Sequence, residues 1–370
     1  MVSRRALNRA TLARQLLLER SPMPVVEAVE HLGGLQAQTP HSWYLGLGAR
    51  LSGVTPEDVS ARLEDRSLVR VALHRSTIHL VSARDCRAWR PLIQPVIVRS
   101  TNTNYGKRLG GADVGAVVAA GRQVLEESPQ TFAVLEKELG ARWPAADPHA
   151  LSATVRAQLP LIQVPPRGTW GPSGPVSGPI AHTTADAWLG PSSSAVAGAE
   201  ELVLRYLAAF GPAGVKDAQV WTGLTRLREV FDRLRPSLVV LTDPDGRELF
   251  DVPGAPRPDD DTPAPVRLLY DFDNLHLSYA ERTRFQRPET AQARARTFTK
   301  NGVLPGTILA DGDVCGVWTL ARARTGVTLT VRPLTKWAPG QASAIESEAT
   351  TMVDWAAGPS ARTVEVGDPV

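Results

Sequence analysis

The chain has 370 residues, 43% hydrophobic and 21% charged, too long for one small core and normal in composition for a globular protein of two or three domains. No apolar run reaches the roughly 18–20 residues that a membrane span needs. The two cysteines, Cys86 and Cys315, are too few and too far apart for a disulfide framework or a Cys-based zinc site, so a reducing cytoplasm is the expected compartment. The net charge of +3 is modest, but only five of the 41 basic residues are Lys, at 107, 137, 216, 300 and 336. Arg forks suit phosphates, although richness in Arg and Ala also follows from a GC-rich genome.

The stretch "MVSRRALNRATLARQLLLER" (1–20) reads as a basic amphipathic helix, since it lacks the apolar core and cleavage site of a signal peptide. A first set of helices is expected over "PVVEAVEHL" (24–32), "HSWYLGLGARL" (41–51) and "TPEDVSARLEDR" (55–66), the last with Thr55 as N-cap and Pro56 as first helical residue. The period then drops to two in "SLVRVALHRSTIHLV" (67–81), which predicts two strands around a short turn. A shorter second set shows helices in "TFAVLEKELGARW" (131–143) and "DPHALSATVRAQL" (147–159), capped by Asp147. Strand, Pro/Gly turn and strand follow in "PLIQVPPRGTWGPSG" (160–174). "GPSSSAVAGAE" (190–200) reads as a linker. The third set has helices over 199–211, 214–224 and 225–235 and a hairpin over 237–253, turning at Pro244-Asp245-Gly246. Short helices followed by a two-stranded wing, three helices in the first and third sets and two in the second, predict three tandem winged helix-turn-helix units.

Beyond residue 254 an acidic, Pro-rich loop (254–265) precedes a buried strand in "VRLLYDFDNLHLSY" (266–279). Successive strands over 306–334 are expected to turn at Asp311-Gly312 and Thr325-Gly326, and a helix over 340–357 to cover their sheet. The expected fold is therefore α+β. Its units are 1–112, 113–190 and 191–253, with a C-terminal β-rich segment at 254–370.

Between a Gly-Gly break and the next helix, "GGLQAQTPHSWY" (33–44) places Gln36 and Gln38 one residue apart, on the same side if the segment is extended. Such amides either cap backbone groups at a helix entrance or orient a ligand or water. From Arg282 to Lys300 the bases Arg282, Arg284, Arg287, Arg294, Arg296 and Lys300 face only Glu289, a cluster that either meets phosphates or is simply solvated. Arg75, Thr77 and His79 share a face of the first wing if that strand is unbroken, and His79 is equally suited to the core. Arg322 and Arg324 lie near a hairpin tip, either solvated or ready to enter a groove. Asp271 and Asp273 are expected to cap a turn or pair with Arg282 or Arg284. The seven His show no metal-ligand spacing, so no metal and no cofactor is expected.

Five segments, "LGGLQAQ" (32–38), "RSTIHLV" (75–81), "VPPRGTW" (164–170), "YDFDNLHLSYAERTRF" (270–285) and "DGDVCGVW" (311–318), stand in the order of one family's motifs. The chain resembles the winged-helix DNA glycosylases that unhook alkylated bases and interstrand crosslinks. Its Gln-x-Gln resembles the branch tied to self-resistance against the crosslinking antibiotic azinomycin, where the broader branch has Gln-x-Asp. The resemblance implies three winged-helix units in a C-shaped arrangement around DNA and a late β-hairpin that engages the duplex. It also implies catalysis by Gln36 and Gln38, and it leaves Arg75, Thr77, His79, Arg282, Arg284, Arg322 and Arg324 as candidate DNA contacts.

An N7-alkylated guanine is already cationic and leaves without protonation, so amides that position water suffice. A carboxylate base would be dispensable only for such activated lesions. No lysine neighbours the motif to form a Schiff base, so abasic product without strand cleavage is expected from a monomer acting on double-stranded DNA. A guanine tied to both strands is hard to swing into a deep pocket, which favours an open site. The rival readings are a winged-helix transcription regulator, which would use dimer symmetry, and a non-catalytic protein that shields DNA.

Overall fold

The computed structural model describes residues 1–191, 196–297, 304–358 and 360–370. Part of the expected linker (192–195) and Lys300 of the basic segment lie outside the described residues. The N-terminal helix runs over Arg4–Arg14, and the Ser3 hydroxyl accepts from the Ala6 N–H. Its basic side chains all pair with carboxylates, Arg9 and Arg14 in the interior and Arg4 and Arg5 nearer the surface. Arg14 forks onto Asp251 at 2.7 and 2.8 Å, Arg5 and Arg9 pair with Asp311, and Arg4 pairs with Asp313. These pairs join the helix to the third hairpin and to the C-terminal sheet, and the buried Arg9 and Arg14 are not available to phosphates.

The first set is Val25–His31, Ser42–Gly48 and Pro56–Glu64, followed by strands Leu68–Ala72 and Ile78–Ser82. Thr55 and Asp58 form the expected capping box. The second set holds a helix that the sequence reading omitted, Val114–Glu127, before Phe132–Arg142 and Pro148–Gln158. Asp147 caps the last of these by accepting from the His149 N–H. Its hairpin differs from expectation: Leu161–Val164 pairs with Ala181–Thr184, and the intervening Trp170–Gly171 and Gly174–Pro175 form a small hairpin of their own. Pro165, Pro166 and Gly168, the last at φ 96°, end the first strand and delay its return. The third set is Ala199–Phe210, Val215–Thr222 and Arg228–Leu234, with the hairpin Val239–Thr242 and Glu248–Asp251.

The first two hairpins merge into one sheet of six strands. Its order is Leu35–Gln36, Ile78–Ser82, Leu68–Ala72, Leu161–Val164, Ala181–Thr184 and Gln130–Thr131. A 23-residue helix, Ala83–Tyr105, follows the first hairpin, is not among the expected elements, and carries Pro91 and Pro95 within it. The second set packs a small core of its own around Val117, Leu125, Leu135, Leu139, Leu151 and Val155. The first and third sets share one large core with the C-terminal segment.

That segment is a five-stranded sheet in the order Arg267–Leu269, Gly306–Ala310, Asp313–Ala323, Gly326–Pro333 and Arg362–Val366, with the last pair parallel. Asp311 and Gly312 turn at φ 49° and 81°, as expected. The next turn falls one residue earlier than expected. Ala323 pairs with Gly326, which leaves Arg324 and Thr325 as the two-residue loop. Helix Gln341–Ala357 buries Ile345, Ala349, Met352, Val353 and Ala356, one helical stripe, against this sheet.

Five histidines are buried: His41, His74, His79, His182 and His276. Burial lowers His41 and His182 to about 4 and His79 to about 3, and holds His74 and His276 well below the usual range. Each folded value lies below the unfolded one near 6.5. Stability is therefore full above pH 6.5 and is lost as pH falls toward the folded values. Each histidine contributes a slope of about 1.4 kcal/mol per pH unit in that window. The thermal midpoint should fall steadily between pH 6.5 and 4.5. A flat profile would contradict this placement. Among the described residues, no helix is long and apolar enough to cross a membrane.

Candidate functional site

Gly33 and Gly34, at φ 71° and 82°, let the chain turn sharply after the first helix. A Cβ at Gly34 would lie 2.8 Å from Val81 Cγ1, so only Gly lets the next strand approach the first hairpin. Leu35 then pairs with Leu80 and Gln36 with His79. The backbone of the motif is held from several sides. Asn274 Nδ2 donates to the Leu32 and Gly34 carbonyls at 3.2 and 2.9 Å. The Tyr270 hydroxyl donates to the Gln36 carbonyl at 3.0 Å, and Arg70 donates to that of Ala37 at 3.1 Å.

The two glutamine side chains reach the same turn of the first hairpin. Gln36, 5% exposed, accepts at Oε1 from Arg75 Nη2 at 3.1 Å. Gln38 is exposed, and its Oε1 accepts from the Ile78 N–H at 3.1 Å, just where the backbone ladder stops. The backbone pairing continues one residue past the regular strand, where the Ala37 N–H donates to the Ile78 carbonyl at 2.7 Å, and the two side chains share one target. Both partners are donors only, which settles the amide orientations: each oxygen faces the hairpin and each NH2 faces away. Each oxygen keeps one lone pair for a water. The arrangement can orient a water through acceptors and a ligand through donors, but it offers no proton-transfer group.

Arg75 is not on a strand, since Arg75 and Ser76 take φ 55° and 62°, which breaks the expected face. Its guanidinium also donates to the Trp221 carbonyl at 2.7 Å, and so ties the motif to the third set. Burial lowers Arg75 to about 10, leaving it charged at neutral pH. Thr77 donates to the His74 carbonyl, and His79 sits inside the core, edge-on to His74 at 5.2 Å. Arg322 is folded back. It donates to the Ala356 carbonyl at 2.6 Å and lies 4.7 Å over the Trp170 ring. Arg324 is exposed at the hairpin loop. Arg282 is exposed, whereas Arg284 is buried, donating to Thr11 Oγ1 and the Pro212 carbonyl and lying over Tyr279.

Asp273 pairs with neither Arg282 nor Arg284. It is fully buried, takes a two-pronged bond from Arg50 at 2.8 Å on each oxygen, and caps Leu275. A cavity of about 280 Å³ lies beside the motif, with walls that include Thr39, His41, Trp170, Tyr270, Asp271 and Trp318. The sequence reading gave no role to Arg70, Tyr270, Asn274 or His41. All four lie within segments quoted above, Arg70 in 67–81, His41 in 33–44 and the other two in 270–285, but nothing local in the sequence points to the partners they find.

Residues 29–355 match the family model described as "DNA glycosylase AlkZ-like". No curated protein matches the sequence significantly. Among solved structures, the Streptomyces sahachiroi DNA glycosylase AlkZ is similar in fold, with a TM-score of 0.74 at 20% identity, over 99% of this chain and 100% of that one. On the family match across most of its length, the chain belongs to the AlkZ-like DNA glycosylase family.

Proposed function

We propose that this glycosylase is monofunctional, hydrolyses the N-glycosidic bond of cationic N7-alkylated purines, and unhooks interstrand crosslinks of the azinomycin type. That activity would serve self-resistance and base-excision repair. The observation that carries the reading is the fixed pair of amides at Gln36 and Gln38, with neither oxygen meeting a group that can take a proton. Such a site can orient water but cannot push a poor leaving group. The lesion's own positive charge then supplies the activation, and the restriction to cationic lesions follows.

The three helix–hairpin sets support winged-helix units at 1–112, 113–190 and 191–253, with 254–370 as the β-rich segment, in a monomer bound to duplex DNA. The separate core of the second set favours a boundary near 113. The exposed Arg282 and Arg324 are the candidate phosphate contacts. Arg75, Thr77, His79, Arg284 and Arg322 would act by shaping the site, since their side chains are engaged within the protein.

The test is a duplex with one interstrand crosslink, resolved on a denaturing gel. Unhooked strands with intact backbones are expected, and strand nicking would contradict the monofunctional reading. Replacing Arg324 with Ser should slow unhooking more than monoadduct release and reduce the salt dependence of DNA binding by about one phosphate contact. An equal loss on both substrates would remove the hairpin loop from the interface. A shifted band on undamaged palindromic DNA without base release would favour a regulator.

A further inference from the structure

The cavity beside the motif contains two polar groups that the fold leaves unsatisfied. Asp271 is 8% exposed; its Oδ1 is buried without a hydrogen-bond partner, and no ion pair reaches the carboxylate among the described residues. Two residues on, Asp273 is fully engaged by Arg50, so the contrast is local. His41 is also 8% exposed, holds a left-handed φ of 69°, and has no partner at Nε2. A strained non-glycine backbone and a buried carboxylate without a partner each carry a cost. Both residues contribute to the wall of one cavity, with Oδ1 and Nε2 closed off from solvent in this state.

The rest of the wall sets the shape of the occupant. Trp170, Trp318, Leu45 and Pro175 offer flat or apolar surfaces. Arg322 also lines the cavity, but its guanidinium is already spent on the Ala356 carbonyl and the Trp170 face. One carboxylate and one imidazole are too few donors for a metal, and among the described residues no cluster of three metal-ligating groups occurs. At about 280 Å³ the space suits a single ring system and little more. The occupant therefore needs flat faces and an edge of donors for Asp271. Unpaired guanine presents N1–H and N2–H2 side by side, matching the two oxygens of a carboxylate. Adenine presents an acceptor, N1, at the corresponding place.

We propose that this cavity is a guanine-edge site, in which Asp271 accepts from N1–H and N2–H2 of the alkylated base. The proposal rests on the glycosylase reading. The cavity adjoins the backbone of the motif, although neither glutamine lines it: Thr39 and His41 come soon after Gln38, and Tyr270, the neighbour of Asp271, donates to the Gln36 carbonyl. A crosslinked guanine cannot expose this edge while it is tied to its partner strand. The site therefore serves monoadducts and the base freed after unhooking.

Equilibrium dialysis of the full chain against free 7-methylguanine and 7-methyladenine tests the site without catalysis. The wild type is expected to bind 7-methylguanine at least about tenfold more tightly, the scale of one charge-assisted hydrogen bond. Asp271→Asn sets an NH2 against one guanine donor, and should weaken 7-methylguanine by about tenfold while 7-methyladenine, whose N1 can accept from that NH2, binds no more weakly than before. Its thermal midpoint should match or exceed the wild type, because the charge removed has no partner. No preference in the wild type, or a preference that survives both Asp271→Asn and Asp271→Ala, would overturn the site. A chain that binds 7-methylguanine but frees no base from damaged DNA would overturn the glycosylase reading and leave the site standing. A chain that frees base but binds neither purine would overturn the site alone.

Discussion

Single-turnover release of N7-methylguanine should fall by about 100-fold when either Gln36 or Gln38 is replaced by Ala, the scale expected when a reacting group is misplaced by about 1 Å. Gln38→Ala is the cleaner variant. Its side chain is exposed and bonds only to the Ile78 N–H, so its loss costs about 1 kcal/mol of stability or less. An activity loss in a folded protein then reports on the amide's part in the reaction. Gln36→Ala also removes an acceptor from the buried Arg75, whose remaining hold is the Trp221 carbonyl. Its thermal midpoint should drop as well. Wild-type rates in both variants, with folding intact, would remove the amides from the chemistry.

The largest effect on stability is expected at Arg50. Its pair with Asp273 is fully buried on both sides, and its Nη1 also donates to the Gly46 carbonyl at 2.9 Å. Arg50→Met would leave Asp273 charged, buried and held only by the Leu275 N–H, a loss of about 3–5 kcal/mol. The consequence would reach the site, because Tyr270 and Asn274 flank Asp273 and clamp the motif carbonyls. Asp273→Asn added to Arg50→Met should recover much of the loss, since no unpaired charge then remains. Urea unfolding followed by Trp fluorescence measures both. A double variant no more stable than the single one would contradict the argument.

Local rules made part of this architecture legible. Thr55, Asp147 and Asp311-Gly312 announce helix starts and a turn through chemistry within four residues, and the structure uses each as expected. The helix Val114–Glu127 is not among the expected elements, and it carries two residues of low helix propensity, Gly115 and Gly121. Gly121 is there for packing, since a Cβ would lie 2.5 Å from Val155 Cγ2. The partner of Asp273 was out of reach for a different reason. Arg50 stands 223 positions away, whereas Arg282 and Arg284 stand close by in sequence. Arg richness, ascribed to genome composition or to phosphates, has a third use here: Arg9, Arg14, Arg50 and Arg70 are buried and bind carboxylates or carbonyls that hold distant segments together. The pair at Gln36 and Gln38 was visible in sequence, but its anchoring by Arg75 depends on a left-handed turn that no periodicity announces.

The most direct measurement is chromatographic detection of free base after incubation of the purified chain with duplex DNA carrying N7-methylguanine. The account predicts free 7-methylguanine, an abasic strand that breaks only on later alkaline treatment, and no release from undamaged guanine. DNA that is bound but yields no free base, or equal release of undamaged guanine, would contradict it.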